Sequence, residues 1–241
     1  MPASIRDEHP DLSVVERRAR SVAHLFVDRV AKTPTSEAFR FPEASSWESV
    51  TWAQTDARVR RIAAGLVALG VQPEQRVALA SSTRYEWVIA DLAVMLAGAA
   101  TTTIYPTTSE SDVTYIARDS QSRIVFAEDD AQVAKFRASR AQLPDVVKVV
   151  TFDGTPDGNW VISLADLDKL GAAHLAEVPS VVDDRIAAIA PQHLANLIST
   201  SGTTGRPQGF RLSPDGWPYD VTTIDAYSSQ TQCDIKNHLP Q

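Results

Sequence analysis

Residues 197–209 read Leu197-Ile-Ser-Thr-Ser-Gly-Thr-Thr-Gly-Arg-Pro-Gln-Gly209. An apolar run, Leu194 to Ser199, empties into a loop dense in glycine and hydroxyl side chains. Glycine lets backbone N–H groups approach an anion with no Cβ in the way. Thr and Ser hydroxyls donate to phosphate oxygens or help order a bound Mg2+. The stretch therefore predicts a buried strand that ends in a phosphate-binding loop. A Walker A loop requires G-x-x-x-x-G-K-[ST]. Counted from Gly202, Pro207 stands at the second glycine and Gln208 at the lysine, so that reading fails. A Rossmann G-x-G-x-x-G fails as well.

Upstream of the loop the chain alternates between short apolar runs and helical patterns. Arg76 to Ala80, Ala100 to Ile104, Arg123 to Ala127 and Val146 to Phe152 predict strands. Tyr85 to Ala97, Ser109 to Asp119, Ala131 to Gln142 and Leu164 to Ala176 predict helices. Such alternation implies βαβ units and a mostly parallel sheet flanked by helices, an α/β fold. Before it, Ser21 to Lys32 predicts a helix. Ala38 to Phe41 and Ser49 to Thr51 predict the two strands of a hairpin. Thr51 with Gln54 three residues on is a capping-box signature for a long helix, and Gly70 is placed to end it. Asp153 to Asn159 reads as loop and Val178 to Asp184 as linker.

Composition narrows the class further. The chain has 241 residues, 44% hydrophobic and 22% charged, with net charge -7. These values suit a globular domain and, with no Lys/Arg block, argue against a nucleic-acid partner. The single cysteine, Cys233, excludes an intrachain disulfide and fits a reducing cytoplasm. His9, His24, His174, His193 and His238 form no metal-like spacing, and no catalytic residue is assigned. The most apolar stretch, Trp87 to Thr101, falls short of the roughly 20 residues a transmembrane helix needs and contains Asp91. Lipid contact would then be peripheral, through a bound substrate or a surface patch.

The loop resembles the signature of the adenylate-forming (AMP-binding) superfamily, hydroxyl-hydroxyl-Gly-Thr-Thr-Gly-x-Pro-Lys-Gly after an apolar strand. Thr200, Ser201, Gly202, Thr203, Thr204, Gly205, Pro207 and Gly209 match it. Thr51-Trp, Ala64 to Val71, Ile104-Tyr-Pro-Thr-Thr-Ser and Asp119 to Phe126 are similar to the long-chain fatty-acid–CoA ligase branch. The resemblance covers about residues 20 to 213 and implies the N-terminal portion of such an enzyme. It implies that a fatty carboxylate attacks the α-phosphate of ATP to give acyl-AMP and pyrophosphate, and that the thiol of coenzyme A then displaces AMP. It places Thr200, Ser201, Gly202, Thr203, Thr204, Gly205 and Gln208 against the nucleotide phosphates and Thr204 beside Mg2+.

Two departures qualify the resemblance. Gln208 stands where the family has lysine, which removes a positive charge from the phosphate grip. After Ser213 the family pattern stops, and Pro214-Asp215-Gly216 breaks any helix. Residues 1–20 are expected to be a polar arm, residues 21–213 a partial AMP-binding domain, and residues 214–241 a divergent, disordered tail. A truncated or frame-shifted gene product, inactive alone, is the simplest expectation. The alternative is a non-catalytic nucleotide- or acyl-binding module, or a half-enzyme completed by a second polypeptide.

Overall fold

The computed structural model describes residues 20–43, 46–201 and 207–213. The expected 1–20 arm, except Arg20, and the expected 214–241 tail lie outside them.

Helix α1 (Val22–Lys32) starts at Ser21, whose hydroxyl accepts from the His24 N–H. It buries Ala23 and Phe26. Strands β1 (Glu37–Glu43) and β2 (Ser46–Thr51) form a separate antiparallel hairpin. Its Phe41 stacks on Tyr85 at 4.0 Å, and Phe39 packs against Trp52 and Tyr85. Thr51 ends β2 and caps α2 (Trp52–Ala68), with both bonds of the capping box present. Gly70 follows at φ 86°, a left-handed position that glycine takes without a Cβ clash.

The remaining strands are β3 (Arg76–Ala80), β4 (Ala100–Ile104), β5 (Ile124–Ala127), β6 (Lys148–Thr151), β7 (Val161–Ser163), β8 (Asn196–Ser201) and β9 (Pro207–Leu212). They form one seven-stranded sheet in the order β7-β6-β5-β3-β4-β8-β9. Every neighbouring pair is parallel except β8–β9. The expected mostly parallel α/β sheet is therefore present. Strands buried on both faces read as apolar runs, and all four residues of β5 are buried.

Helices cover both faces. On one, α1, α2, α3 (Tyr85–Leu96), α6 (Leu164–Glu177) and α7 (Val181–Ala187) enclose Val77, Leu79 and Phe126. On the other, α4 (Glu110–Asp119) and α5 (Asp130–Ala138) enclose Ala78, Ala80, Val125 and Val149. Caps fall on side chains suited to them: Ser109, Asp129 and Ser163 each accept from a first-turn N–H of α4, α5 and α6.

Three short elements differ from the sequence expectation. The presumed linker at 178–184 contains the start of α7, whose Val182 and Ile186 lie one turn apart and are buried. Strand β7 spans only three residues, next to the buried Trp160. Strand β9 begins with Pro207 and contains Gly209, both loop signals, and it is tolerated because it is an edge strand paired with β8 alone. Helix α5 is also shorter than expected, passing into a 3-10 turn at Arg140–Gln142. Among the described residues, no helix is long and apolar enough to cross a membrane.

Candidate functional site

Strand β8 runs parallel to β4 and turns back as β9. Its register places Thr200 opposite Gln208 and Ser201 opposite Pro207. The two strand ends that carry residues 202–206 thus sit at the carboxyl edge of the parallel sheet, where open α/β sheets bind their ligands. Of the site residues expected from sequence, Thr200 and Ser201 are the last two of β8, and Gln208 is the second of β9. Gly202, Thr203, Thr204 and Gly205 lie outside the described residues, and with Thr204 the expected Mg2+ contact. Gly209 faces Ser199 across the hairpin, and a Cβ there would meet Leu197 Cδ1 at 3.1 Å. A larger residue at 209 would press against β8 just below the loop.

Beside this hairpin, β4 ends at Ile104 and the chain turns through Tyr105 and Pro106. Tyr105 is 67% exposed, so its ring is not held by the core. The turn itself is held from below. Lys135 Nζ on α5 donates to Pro106 O at 2.8 Å and Thr108 O at 2.9 Å. Gln132 Nε2 donates to Pro106 O at 3.3 Å, and its Oε1 accepts from Lys135 at 3.1 Å. Charge-assisted bonds to two carbonyls are stronger than neutral ones and set the path of the turn. Neither residue was singled out from sequence: the contact joins positions almost thirty residues apart, and no local pattern marks it.

Behind the edge the sheet carries buried polar groups. Thr101 Oγ1 donates to Asp91 Oδ1 on α3 at 2.6 Å, and Asn196 lies opposite Thr101 in the β4–β8 register. Burial pushes the Asp91 carboxyl up to about 6, with the Thr101 hydrogen bond opposing the shift. Thr101 and Asn196 stand at the amino-terminal part of their strands, so this cluster is at the opposite end from the loop. It ties β4 to α3 and lies away from the β8–β9 turn. Among the described residues, no group of three His, Cys, Asp or Glu side chains could hold a metal.

The β8–β9 hairpin thus stands at the carboxyl edge of the parallel sheet, next to a braced turn. The family model of AMP-binding enzymes matches residues 26–237. The chain belongs to the AMP-binding enzyme family. Its matched span continues past Ser213 into residues outside those described.

Among its relatives is a long-chain-fatty-acid–CoA ligase, FadD15 of Mycobacterium bovis, 35% identical over 181 residues. That match takes in 75% of this chain and 29% of the relative. Another is the long-chain-fatty-acid–CoA ligase ACSBG1 of Rattus norvegicus, 29% identical over 87% of this chain and 28% of its own length. The chain thus spans under a third of the length of these relatives. In fold it is similar to the crystal structure of the anthranilate–CoA ligase AuaEII with anthranoyl-AMP. The TM-score is 0.70, over 83% of this chain and 36% of that one at 19% identity. The matched family is one of AMP-binding enzymes, and the two relatives carry the name of long-chain-fatty-acid–CoA ligases.

Proposed function

We propose that this chain is the phosphate-gripping part of an AMP-forming long-chain fatty-acid–CoA ligase. The observation that carries the reading is the matched loop mounted on the β8–β9 hairpin at the carboxyl edge. On this reading Thr200, Ser201, Gly202, Thr203, Thr204, Gly205 and Gln208 surround the β- and γ-phosphates of ATP, and Thr204 meets the accompanying Mg2+. Their work is positioning and electrostatic stabilisation as pyrophosphate leaves. Coenzyme A would take the acyl group from acyl-AMP in the second step. The same reading puts the protein in the cytoplasm, with peripheral access to lipid for its fatty acid. Residues 21–213 would be the adenylate-forming portion as far as it is described, with the family match running on to residue 237, and residues 1–20 a flanking segment.

Gln208 limits the activity we assign. An ammonium about 4 Å from a phosphate charge is worth about 4 kcal/mol before screening at an effective dielectric near 20. Solvent and salt reduce that, and a neutral amide recovers only a hydrogen bond. Weak nucleotide binding follows. The rest of the length of the ligase relatives lies outside what these residues span. Turnover on this reading requires the missing residues, from a longer chain or from a second polypeptide.

ATP–pyrophosphate exchange with a long-chain fatty acid tests it. The expected result is no exchange by the 241 residues alone. Exchange is expected to appear when a polypeptide carrying the remainder of a FadD15-like ligase is added. Robust exchange by the 241 residues alone would contradict the assignment of a partial site. Gln208 also favours a second reading, a non-catalytic nucleotide- or acyl-binding module, in which no added polypeptide restores exchange.

A further inference from the structure

A cavity of about 850 Å³ opens at the carboxyl ends of β3 and β5, with Phe41, Arg58, Ser82, Tyr85 and Glu128 in its lining. The chain leaves β3 for α3 on one face of the sheet and leaves β5 for α5 on the other. The two neighbouring strand ends therefore diverge, which makes this the topological switch point of a doubly wound sheet. Strand β4 separates it from the β8–β9 hairpin. A strand spacing of about 4.8 Å puts β3 roughly 10 Å from β8.

The charges around this cavity are almost all committed. Arg84 donates to Glu86 at 2.6 Å and also pairs with Asp153. Glu128 accepts from the Ser82 N–H at 2.9 Å and from its hydroxyl at 2.6 Å. Arg40 is paired with Glu37 at 2.9 Å. Arg58, on α2, is different: its guanidinium lies 5.4 Å from the centre of the Tyr85 ring and meets no carboxylate among the described residues. Tyr85 in turn is stacked with Phe41 at 4.0 Å and an interplanar angle of 8°. A guanidinium laid over an aromatic ring keeps its N–H edges available for a planar, two-oxygen acceptor.

Lining chemistry selects the ligand. A carboxylate fits the guanidinium fork. Glu86, Glu128 and Asp153 line the same cavity and repel a dianionic phosphate more than a single negative charge. Phe41 and Pro42 supply an apolar wall. The volume lies within the range of small-molecule pockets, about 300–1,000 Å³. We infer that this cavity binds a small organic monocarboxylate, with its carboxylate on Arg58 and its apolar body along Phe41. The site is separate from the phosphate loop, so its test stands whether or not that loop holds nucleotide.

Sodium benzoate is the probe, with inorganic phosphate in parallel, titrated into the whole chain by calorimetry and by NMR of the Arg58 Nε–H. Saturable benzoate binding that shifts the Arg58 resonance is expected. Arg58→Met should weaken it about tenfold or more, and Arg58→Lys should restore part of the loss. Phosphate should bind more weakly than benzoate. The resonance shift is read on the unaltered protein, so it decides the matter even if a variant folds poorly. No saturable benzoate binding, an unmoved Arg58 signal, equal affinity in Arg58→Met, or tighter binding of phosphate would each overturn the inference.

Discussion

Asp91 is a half-buried carboxyl on α3 facing β4, with the Thr101 hydroxyl as its hydrogen-bond donor. Its acidity is weakened to about 6 because burial disfavours the charged form more than one hydrogen bond favours it. The unfolded chain releases that proton near the ordinary value of about 3.9. Between those values the folded state binds more protons than the unfolded one. Stability from this group is therefore present at low pH and falls as pH rises through about 6. Two units correspond to about 3 kcal/mol, which partial access to water reduces to about 2 kcal/mol. Asp91→Asn keeps the shape and removes the charge. Urea denaturation should find the variant close to wild type near pH ~3, below the unfolded value, and about 2 kcal/mol more stable at pH 7.5. Equal stabilities at both pH values would show that Asp91 ionises freely in the fold. Sequence showed Asp91 only as a charge inside an apolar stretch. Its partner could not be read, because Thr101 is reached by a helix packing on a strand.

At the scale of elements, helix packing decides more than propensity. Helices α2 and α6 approach so closely that a Cβ at Gly171 would meet the Arg61 carbonyl oxygen at 1.7 Å. At Gly65 a Cβ would meet the Leu167 carbonyl oxygen at 2.5 Å. Arg61 and Asp168 form an ion pair at 2.9 Å across the same pair of helices. Backbone cannot move aside as a flexible side chain does, so Gly171→Ala should force the helices apart. The expected loss is about 3 kcal/mol, at the upper end for overpacking, read as a lower denaturation midpoint. A change below about 0.5 kcal/mol, the usual range of surface substitutions, would mean that the helices are farther apart than described. Most elements were legible from their apolar spacing, and α2 also from its Thr51–Gln54 capping box. Ser21, Thr51, Ser109 and Ser163 each precede a helical pattern and each accepts a first-turn N–H. Strand β9 was not legible, since Pro207 and Gly209 are loop residues by every local rule, and only the register with β8 makes them strand. Helix α7 was missed for a related reason: seven residues with two acids in the first turn carry too short a pattern.

At the scale of the molecule, alternation of strands and helices announced a parallel sheet but not its order. The chain builds β5, β6 and β7 outward on one side of β3, then crosses back to lay β8 beside β4. No residue pattern records that return, because parallel strands buried on both sides look alike in sequence. The return brings the β8–β9 hairpin next to the turn at Tyr105–Pro106, which Lys135 braces. The candidate site was legible as a motif, through glycines and hydroxyls in a set order. What sequence could not supply was the bracing from α5 and the separate cavity at the switch point. The role proposed for the hairpin is a grip on the β- and γ-phosphates of ATP, weakened by Gln208. Calorimetric titration of the chain with ATP and with AMP, for wild type and Gln208→Lys, tests it most directly. Gln208→Lys is expected to bind ATP about tenfold tighter, a gain lost at high salt, with AMP affinity unchanged. Equal ATP affinity in the two proteins, or an equal gain for AMP, would contradict it.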